Sequence, residues 1–557
     1  MGQKKQNILQ GALILTASTM LVKVIGALFK IPLANILGGV GMSYFVSAYD
    51  VFIPIYSMTV TGLGIATSRL VSECGGNSTL SSESVLATAR KVFLAIGVTS
   101  SVLLFAGAGI LTNIIGNPGA RITVCCIAPS IIFACSSAAY RGYFQGKQNM
   151  LPTAKAQVLE AMIKMLLGAG AAYLLFHRLT LSYRAGTAPP WLQNLPEQSA
   201  QLRILQIAAA GAVAGVTFSM FCGMIYIRGC YRRTLVLQKT PHFSREAAKQ
   251  MLSIALPIAL TSLSANLTTL IDLSSVMNCL QNAVRADCGR ILEMYSGCIP
   301  PEVSVDVLPE YLYGSYSGLA VSIFNLVPAL TAGIGISAIP TIAAHRARGD
   351  DNAIRHSISS AVLVAAMAAF PAGLGISTFS KEILLFLYPH QQMEVAIVAP
   401  ILRWMGFAAV LVSFSGILNN ILQAVGMEKT PLLALLMGGV IKMITNFILV
   451  SRPDTNIHGV AFGSLMCYGF ITVFCIIRLI ASGYGGRLLS ALAKPLPASL
   501  MCCAGARLLY DKVFIGFGNT PALLCSVAAG GMIYLIISIL TGCMKSVRIL
   551  SLISERK

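Results

Sequence analysis

Charge is what this sequence has least of. Asp, Glu, Lys and Arg make up only 11% of its 557 residues and 56% are hydrophobic, whereas soluble chains carry about a quarter charged residues. That shortage excludes a water-soluble globular fold. Acidic residues are scarcer still, with 20 Asp and Glu against 40 Lys and Arg, a formal net charge of +20. So basic a balance raises nucleic acid as a partner, but the Lys and Arg sit in short loops on one side of the apolar runs, so no nucleic-acid partner is expected. The sequence has no G-x-x-x-x-G-K-[ST], so no ATPase domain acts in cis. It has no H-E-x-x-H and no C-x-x-C, and its 15 cysteines show no Cys/His metal spacing. A metal centre is not expected. Cys279, Cys288 and Cys298 share one loop, which leaves a disulfide open. No polar stretch is large enough for a separate enzyme domain. The richest carboxylate cluster, Asp287, Glu293, Glu302, Asp306 and Glu310 in loop 279–312, reads as a solvated face.

What the sequence does have is apolar runs of around twenty residues from end to end, each long enough to cross a bilayer as helix. The mean hydropathy is +0.76. The fold class that follows is an all-α polytopic membrane protein with about 14 transmembrane helices. They are expected near 8–29, 43–67, 87–111, 120–141, 153–176 and 204–228, then 251–275, 314–341, 357–379, 395–422, 432–450, 459–481, 495–513 and 520–542. The first run follows Lys4 and Lys5 but is too long for a signal-peptide core and lacks an evident cleavage site, so it is expected to be retained. Loops 177–203 and 279–312 are expected to be soluble. Pro54, Pro257, Pro328 and Pro371 are expected to interrupt helices, as rocking bundles require.

The chain also repeats itself. R-G-Y-F-Q-G-K-Q-N-M-L-P-T-A-K-A-Q-V-L-E-A-M-I-K-M-L-L-G (141–168) reads as a polar connection, 142–149, followed by an apolar helix with Gln157, Glu160 and Lys164 on one face. A weaker copy stands half a chain later, at 420–446, where Gln423 and Lys442 keep the spacing of Gln145 and Lys164 and I-K-M closes both. T-G-L-G-I-A-T-S (61–68) has its echo in A-G-I-G-I-S-A-I (332–339), at nearly the same offset. Duplication follows, with a site expected between the copies. The domains are then a six-helix lobe over 1–228, a basic linker over 229–250, a second six-helix lobe over 251–481, and two additional helices with a tail over 482–557.

A charge at mid-bilayer costs roughly 3 kcal/mol on insertion scales, so each one needs a reason. Lys23 lies mid-helix and Lys30 two turns on, about 10 Å along the same face. Gly26 between them leaves room for a ligand. For Lys30, snorkelling to the interface is the alternative. Asp50 and Asp272 are the clearest intramembrane acids, as counter-ions, cation ligands or proton carriers. Glu160 and Lys164, at i and i+4, read first as a helix-internal ion pair. Arg403 and Lys442 read as structural, and His345 and His356 as solvated.

S-T-M-L-V-K-V-I-G-A-L-F-K-I-P-L-A-N-I-L-G (18–38), S-R-L-V-S-E (68–73) and R-G-Y-F-Q-G with M-L-P-T-A (141–154) carry a resemblance that covers essentially the whole chain. They resemble the polysaccharide-transporter branch of the multidrug/oligosaccharidyl-lipid/polysaccharide flippase superfamily, in particular its stage V sporulation protein B and lipid II flippase groups. The resemblance implies two six-helix lobes around a cavity that opens alternately to each side, with the two additional helices beside a groove for a lipid tail. It implies a monomeric flippase in the bacterial cytoplasmic membrane, moving undecaprenyl-diphosphate-linked sugars outward for peptidoglycan or another envelope polymer. Lys23, Gly26, Lys30, Asp50 and Lys164 are the implied substrate-binding set, and the family has Arg where the three lysines stand. No cofactor is implied beyond Na+ or H+ as a coupling ion, with Asp272 and Asn446 as candidate ligands and Val450 where an acidic partner would be expected. The chain departs from lipid II flippases in having no basic residue in 43–67 or 314–341. The rival readings are a cation-coupled multidrug exporter of the same superfamily and a membrane glycosyltransferase or polymerase.

The bias of Lys and Arg between alternate loops puts both termini on the cytoplasmic side. Reporter fusions should therefore report 229–250 and both termini in the cytoplasm, with 177–203 and 279–312 outside. A fusion at 229–250 read as external would reverse the orientation of every helix.

Overall fold

A backbone in hydrocarbon has to pair its own polar groups, and a helix does so within one segment. The computed structural model describes residues 8–74, 81–234, 243–301, 303–514, 516 and 518–542, and their regular structure is helical throughout. Among the described residues, 12 stretches are long and apolar enough to cross a membrane. Two local features separate this from the expected 14. The predicted helices 8–29 and 43–67 lie in one stretch, Ala17–Glu73, whose 57 residues far exceed the roughly 20 that a bilayer needs. The predicted helix 251–275 falls inside the 42-residue helix Arg245–Ala286, which is not among the 12.

Chain contacts divide the molecule into two compact units, one of Met1–Asn278 with Glu302–Gly314, the other of Cys279–Pro301 with Ser315–Lys557. In the first unit, α1 (Ile8–Tyr56) is broken at Gly38, where φ is 62° and ψ −173°. Glycine adopts that backbone conformation without strain, which is why the break falls there. The helix carrying Lys30 thus continues past the predicted end at 29. Pro54 removes one N–H from the ladder, and a π-helical turn, Ser57–Thr61, follows before α2 (Gly62–Glu73). Then come α3 (Ser82–Ile115), α4 (Arg121–Ile127), α5 (Ser130–Gly146) and α6 (Leu151–Ile163). A second π turn, Lys164–Gly168, leads into α7 (Ala169–Arg184), and α8 (Glu197–Thr234) and α9 (Arg245–Ala286) follow. The second unit has α10 (Leu326–Ala347), α11 (Asp351–Thr378), α12 (Ser380–Leu387), α13 (Gln392–Ala424), α14 (Lys429–Leu449), α15 (Gly459–Ala481), α16 (Pro495–Leu509) and α17 (Asn519–Leu540).

Several expectations about connections change. Residues 142–146 belong to α5, so the polar connection shrinks to 147–150. Loop 177–203 is largely helical, because α7 runs on to Arg184 and Pro190–Gln193 forms a short helix. There Leu192, Ala200 and Ile204 are buried with Phe176, Leu179 and Leu195 packed around them, and the Tyr183 hydroxyl donates to the Leu195 carbonyl at 2.9 Å. Helix α9 carries on into the predicted loop 279–312, and the Asp287 side chain caps a further short helix, Cys288–Met294. Cys279, Cys288 and Cys298 are separate thiols. Of the linker 229–250, residues 229–234 end α8 and 245–250 begin α9, while 235–242 lie outside the described residues, as do 1–7 and 543–557. Pro328, which cannot donate to the Phe324 carbonyl, follows a one-residue break at Asn325 between the helical turn Val321–Phe324 and α10, within the stretch Val305–Arg346.

The sequence grouping placed 251–275 in the C-terminal lobe, whereas its contacts place it in the first unit. Asn266 Nδ2 donates to Ser57 Oγ at 2.9 Å, the Thr67 hydroxyl donates to Met251 Sδ at 3.8 Å, and a Cβ on Gly62 would stand 2.6 Å from the Ala255 carbonyl oxygen.

Helices in hydrocarbon gain little from burying apolar surface and approach each other through small residues instead. A Cβ on Gly215 of α8 would meet Gly168 Cα at 2.5 Å. Gly373 of α11 and Gly406 of α13 face each other reciprocally, each Cβ position lying 2.7 or 2.5 Å from the other's carbonyl oxygen. The duplication shows in the same contacts. A Cβ on Gly142 (α5) would lie 2.7 Å from the Gly64 carbonyl of α2. In the second unit, a Cβ on Gly335 (α10) would lie 2.6 Å from Asn420 Nδ2 of α13. Gly335 and Asn420 are the equivalents of Gly64 and Gly142 by the two sequence shifts. One helix crossing has therefore been built twice.

Gly373→Leu should overpack its crossing by about 3 kcal/mol and lower both the yield and the melting temperature of detergent-solubilised protein. Gly375→Ala, two residues on where nothing lies within 4 Å, should leave both unchanged or slightly raised. Equal behaviour of the two variants would mean that the α11–α13 approach is not what limits packing.

Candidate functional site

The break and prolines of α1 bring its two arms into one polar cluster within the first unit. Lys30 and Asp50 are both half-buried, and their charges attract across the cluster while Lys164 repels Lys30. Asp50 Oδ2 accepts a hydrogen bond from the Tyr313 hydroxyl at 3.3 Å and also feels the negative charge of Asp272 on α9. Lys164 opens the π turn after α6, and its ammonium reaches over the rings of Phe29 (5.5 Å) and Tyr49 (5.9 Å). Both are in range of a cation–π attraction. The Lys164 Nζ lies 3.8 Å from where a Cβ on Gly26 would sit, with no other atom within 4 Å of that position. The space beside Gly26, read from the sequence as room for a ligand, is bordered by Lys164.

The aromatic wall is built by periodicity. Phe45, Tyr49, Phe52 and Tyr56 recur at i, i+4, i+7 and i+11, one face of a helix. Their successive ring centroids are 5.5, 6.0 and 5.4 Å apart, and Phe29 packs edge-on against Phe45 at 5.8 Å. That stripe was legible in the sequence and was passed over. Tyr313, far from Asp50 along the chain, gave no such signal.

The i, i+4 pairing of Glu160 with Lys164 does not form. Glu160 instead binds Arg141 of α5, Nη2 to Oε1 at 2.5 Å, with both side chains more than four-fifths buried. The Tyr56 hydroxyl joins this pair. The carboxylate is pressed against α8, where a Cβ on Gly223 would come within 1.9 Å of Glu160 Oε1. A charge-assisted pair with the fork of an arginine is stronger than a flexible lysine contact along one helix, and it leaves Lys164 available to the aromatic wall.

The remaining candidates divide between the two units. Lys23 is exposed, two turns from Lys30 on α1. Asp272 belongs to the first unit. Asn446 is fully buried in the second, on α14, its Oδ1 against Gly463. One turn before it Lys442 is 2% exposed, its ammonium over the ring of Tyr468 at 5.5 Å. Val450 is fully buried. Among the described residues no group of three His, Cys, Asp or Glu is placed to hold a metal ion.

Comparison with known proteins follows the same division of the chain. Residues 8–286 match the family model described as polysaccharide biosynthesis protein, and residues 315–448 match MatE. The chain is similar to stage V sporulation protein B of Bacillus subtilis, 23% identical over 96% of this chain and 95% of that one. It is also similar to lipid II flippase MurJ of the same organism, 23% identical over 84% and 82%. Among solved structures, a lipid II flippase MurJ in its inward closed conformation superposes with a TM-score of 0.67 at 14% identity, over 95% of this chain and 99% of that one. An inward-facing multidrug resistance MATE family transporter of the MOP superfamily gives 0.61 at 16% identity, over 87% and 99%.

Removing one member of a buried ion pair strands the other, at a cost of about 3–5 kcal/mol. Arg141→Ala should therefore reduce the melting temperature and membrane yield sharply, Arg141→Lys should recover part of the loss, and Gly223→Ala should mimic it by displacing the carboxylate. A fully stable Arg141→Ala protein would show that the pair is not structural.

Proposed function

Because the chain belongs to the polysaccharide biosynthesis protein family, within the multidrug/oligosaccharidyl-lipid/polysaccharide flippase superfamily of transporters, we propose that it flips undecaprenyl-diphosphate-linked sugars, lipid II or a related lipid-linked oligosaccharide, from the inner to the outer leaflet by alternating access. The observation that carries this reading is the pair of ammonium groups, Lys30 and Lys164, held in one cluster at membrane depth. Two like charges repel, more strongly where water is scarce. Asp50 offsets Lys30, and aromatic faces offset Lys164. A diphosphate brings two negative charges of its own and would relieve the repulsion between the lysines. It is the part of a lipid-linked sugar that such a cluster recognises, while the sugar itself cannot enter hydrocarbon.

The aromatic wall suits the same ligand, since flat apolar faces with a polar edge pack against sugar rings as readily as against a lysine stem. Moving negative charge outward is favoured by about 2.3 kcal/mol per charge per 100 mV when the cytoplasm is negative. With no Walker motif in the chain, membrane potential or an ion gradient is the energy source. Asp272 is the carboxylate through which Na+ or H+ coupling would act. Both termini are cytoplasmic in this reading, and the protein works as a monomer in the bacterial cytoplasmic membrane.

A cation-coupled exporter is the second reading. Asp50 beside Tyr49, Phe52 and Tyr56 is an acid among aromatics, the lining that suits an organic cation. The two separate on substrate charge. Proteoliposomes carrying a labelled undecaprenyl-diphosphate sugar should show flipping without nucleotide, faster under an inside-negative potential. Lys30→Ala and Lys164→Ala should each reduce the rate at least tenfold at unchanged protein level, the Arg variants should be tolerated, and Lys30→Glu should be worse than Ala. Transport of organic cations by the same protein, with Lys30→Ala active and Asp50→Asn inactive, would overturn the flippase reading in favour of the exporter.

A further inference from the structure

A second cluster of cations lies in the second unit, far along the sequence from the lysines above. A cavity of about 570 Å³ opens between the first three turns of α11 and the segment Gly486–Lys494. Its lining is two stripes. On α11, Asn352, Arg355, His356, Ser359, Ser360 and Leu363 recur at i, i+3, i+4, i+7, i+8 and i+11, a single helical face. From the other side come Arg487, Ser490 and Lys494, at helical spacing across the short helix Leu488–Ala493. No carboxylate lines this cavity. Asp350 and Asp351, nearest in sequence, stand at the head of α11, where Asp350 accepts the Ala353 N–H at 3.0 Å as the cap.

Two features show that the cavity is built rather than incidental. Arg355 Nε donates to the Gly483 carbonyl at 2.8 Å, which fixes the guanidinium and leaves its terminal nitrogens for a ligand. The turn that holds it needs glycine at Gly483 (φ +80°), and a Cβ on Gly486 (φ +25°) would stand within 4 Å of the Arg355 stem. Beyond Asn352 the α11 side of the lining is also graded. It runs from Arg355 and His356 through the hydroxyls of Ser359 and Ser360 to Leu363, from charge to neutral polar to apolar along the direction in which α11 enters its hydrophobic span. That is the order of groups in an amphiphile with an anionic head: phosphate, ester oxygens, acyl chain. Arginine and lysine gathered at the charged end of a helix groove recognise such heads.

We infer that this cavity binds the phosphate headgroup of an anionic phospholipid, with the charged end at the membrane surface and the first acyl carbons against Leu363. The positive charge of the loops around it puts that surface on the cytoplasmic side. The test reads lipid binding alone, so it does not depend on the proposed transport.

Purified full-length protein in detergent, titrated with cardiolipin or phosphatidylglycerol and read by native mass spectrometry, should retain one tightly bound anionic lipid and should not retain phosphatidylcholine. The Arg355→Gln/Arg487→Gln/Lys494→Gln variant should bind at least tenfold more weakly while still melting cooperatively in phosphatidylcholine, because all three side chains are exposed and the one hydrogen bond lost is that from Arg355 to Gly483. Ser359→Trp, which fills the cavity without altering charge, should lose the same bound lipid. Lys429→Gln, a basic residue at the head of α14, should bind like the unaltered protein. Inorganic phosphate at millimolar concentration should not displace the lipid. Equal binding by the triple variant, or retained binding by Ser359→Trp, would overturn the site, and displacement by phosphate would overturn the lipid as its ligand.

Discussion

A charge inside hydrocarbon must be given a partner by the protein, because water is not there to solvate it, and the first unit is arranged around that demand. Arg141 and Glu160 meet at 2.5 Å. Lys164 lies over Phe29 and Tyr49, Lys30 is drawn toward Asp50, and Asp50 takes the hydroxyl of Tyr313. The Lys30–Asp50 attraction ties the two arms of α1 together and the others join separate helices, so satisfying the charges also fixes the packing. The same demand on the backbone makes every element a helix, and where Gly38 or Pro54 interrupts one, the interruption directs a side chain toward the cluster. The buried Arg141–Glu160 pair carries the packing, while Lys30 and Lys164, only half-buried, are left for recognition.

Small residues are what allow charges to be placed this way. Gly223 leaves the space into which the Glu160 carboxylate fits, and Gly26 leaves the space beside Lys164. At Gly223 even a methyl group would collide, whereas at Gly26 a methyl would make an ordinary contact at 3.8 Å. The two glycines thus serve differently: the first closes a structural pair, and the second keeps a cation accessible. The 50 glycines of the chain include others, such as Gly373 and Gly406, that let helices touch and serve no charge at all. The residue type alone does not separate these uses, and the neighbours do.

The helices were legible because their signal is local: an apolar run long enough to span a bilayer needs no knowledge of what lies beside it. Gly38 and the continuation of α5 through Gly146 were missed because both depend on backbone conformation at a single position. Lys30, Asp50 and Lys164 were identified from cost, since an ionised group in an apolar run announces itself. Their partners were not. Glu160 was assigned to Lys164 because i and i+4 neighbours are visible in one dimension, and Arg141, on another helix, competes only once the helices are packed. Lys23 shows how little a helical face alone decides. Its mid-helix position carries the same cost as Lys30, yet it is exposed, and the helical face alone does not tell a cluster residue from one two turns away.

The duplicated halves show how the cluster came to belong to one unit. By the shift that relates Lys164 to Lys442, the equivalents of Arg141 and Glu160 are Asn419 and Gly438. The second copy has neither member of the ion pair. A buried pair tolerates the absence of both partners far better than the absence of one, because a single survivor is an uncompensated charge. Asn419 now accepts from the Cys475 thiol at 3.5 Å, and Gly438 lies against Ile471 and Cys467 of α15, neutral contacts where the first copy has charged ones. Lys442 has been kept, but at 2% exposure over Tyr468 it is sealed inside the bundle, while Lys164 is half-buried over its aromatic wall. The same lysine is therefore a packing element in one copy and a potential ligand in the other. What separates them is the partner that each copy kept: with Glu160 engaged by Arg141, Lys164 is free of its helix neighbour and turns toward Gly26 and α1.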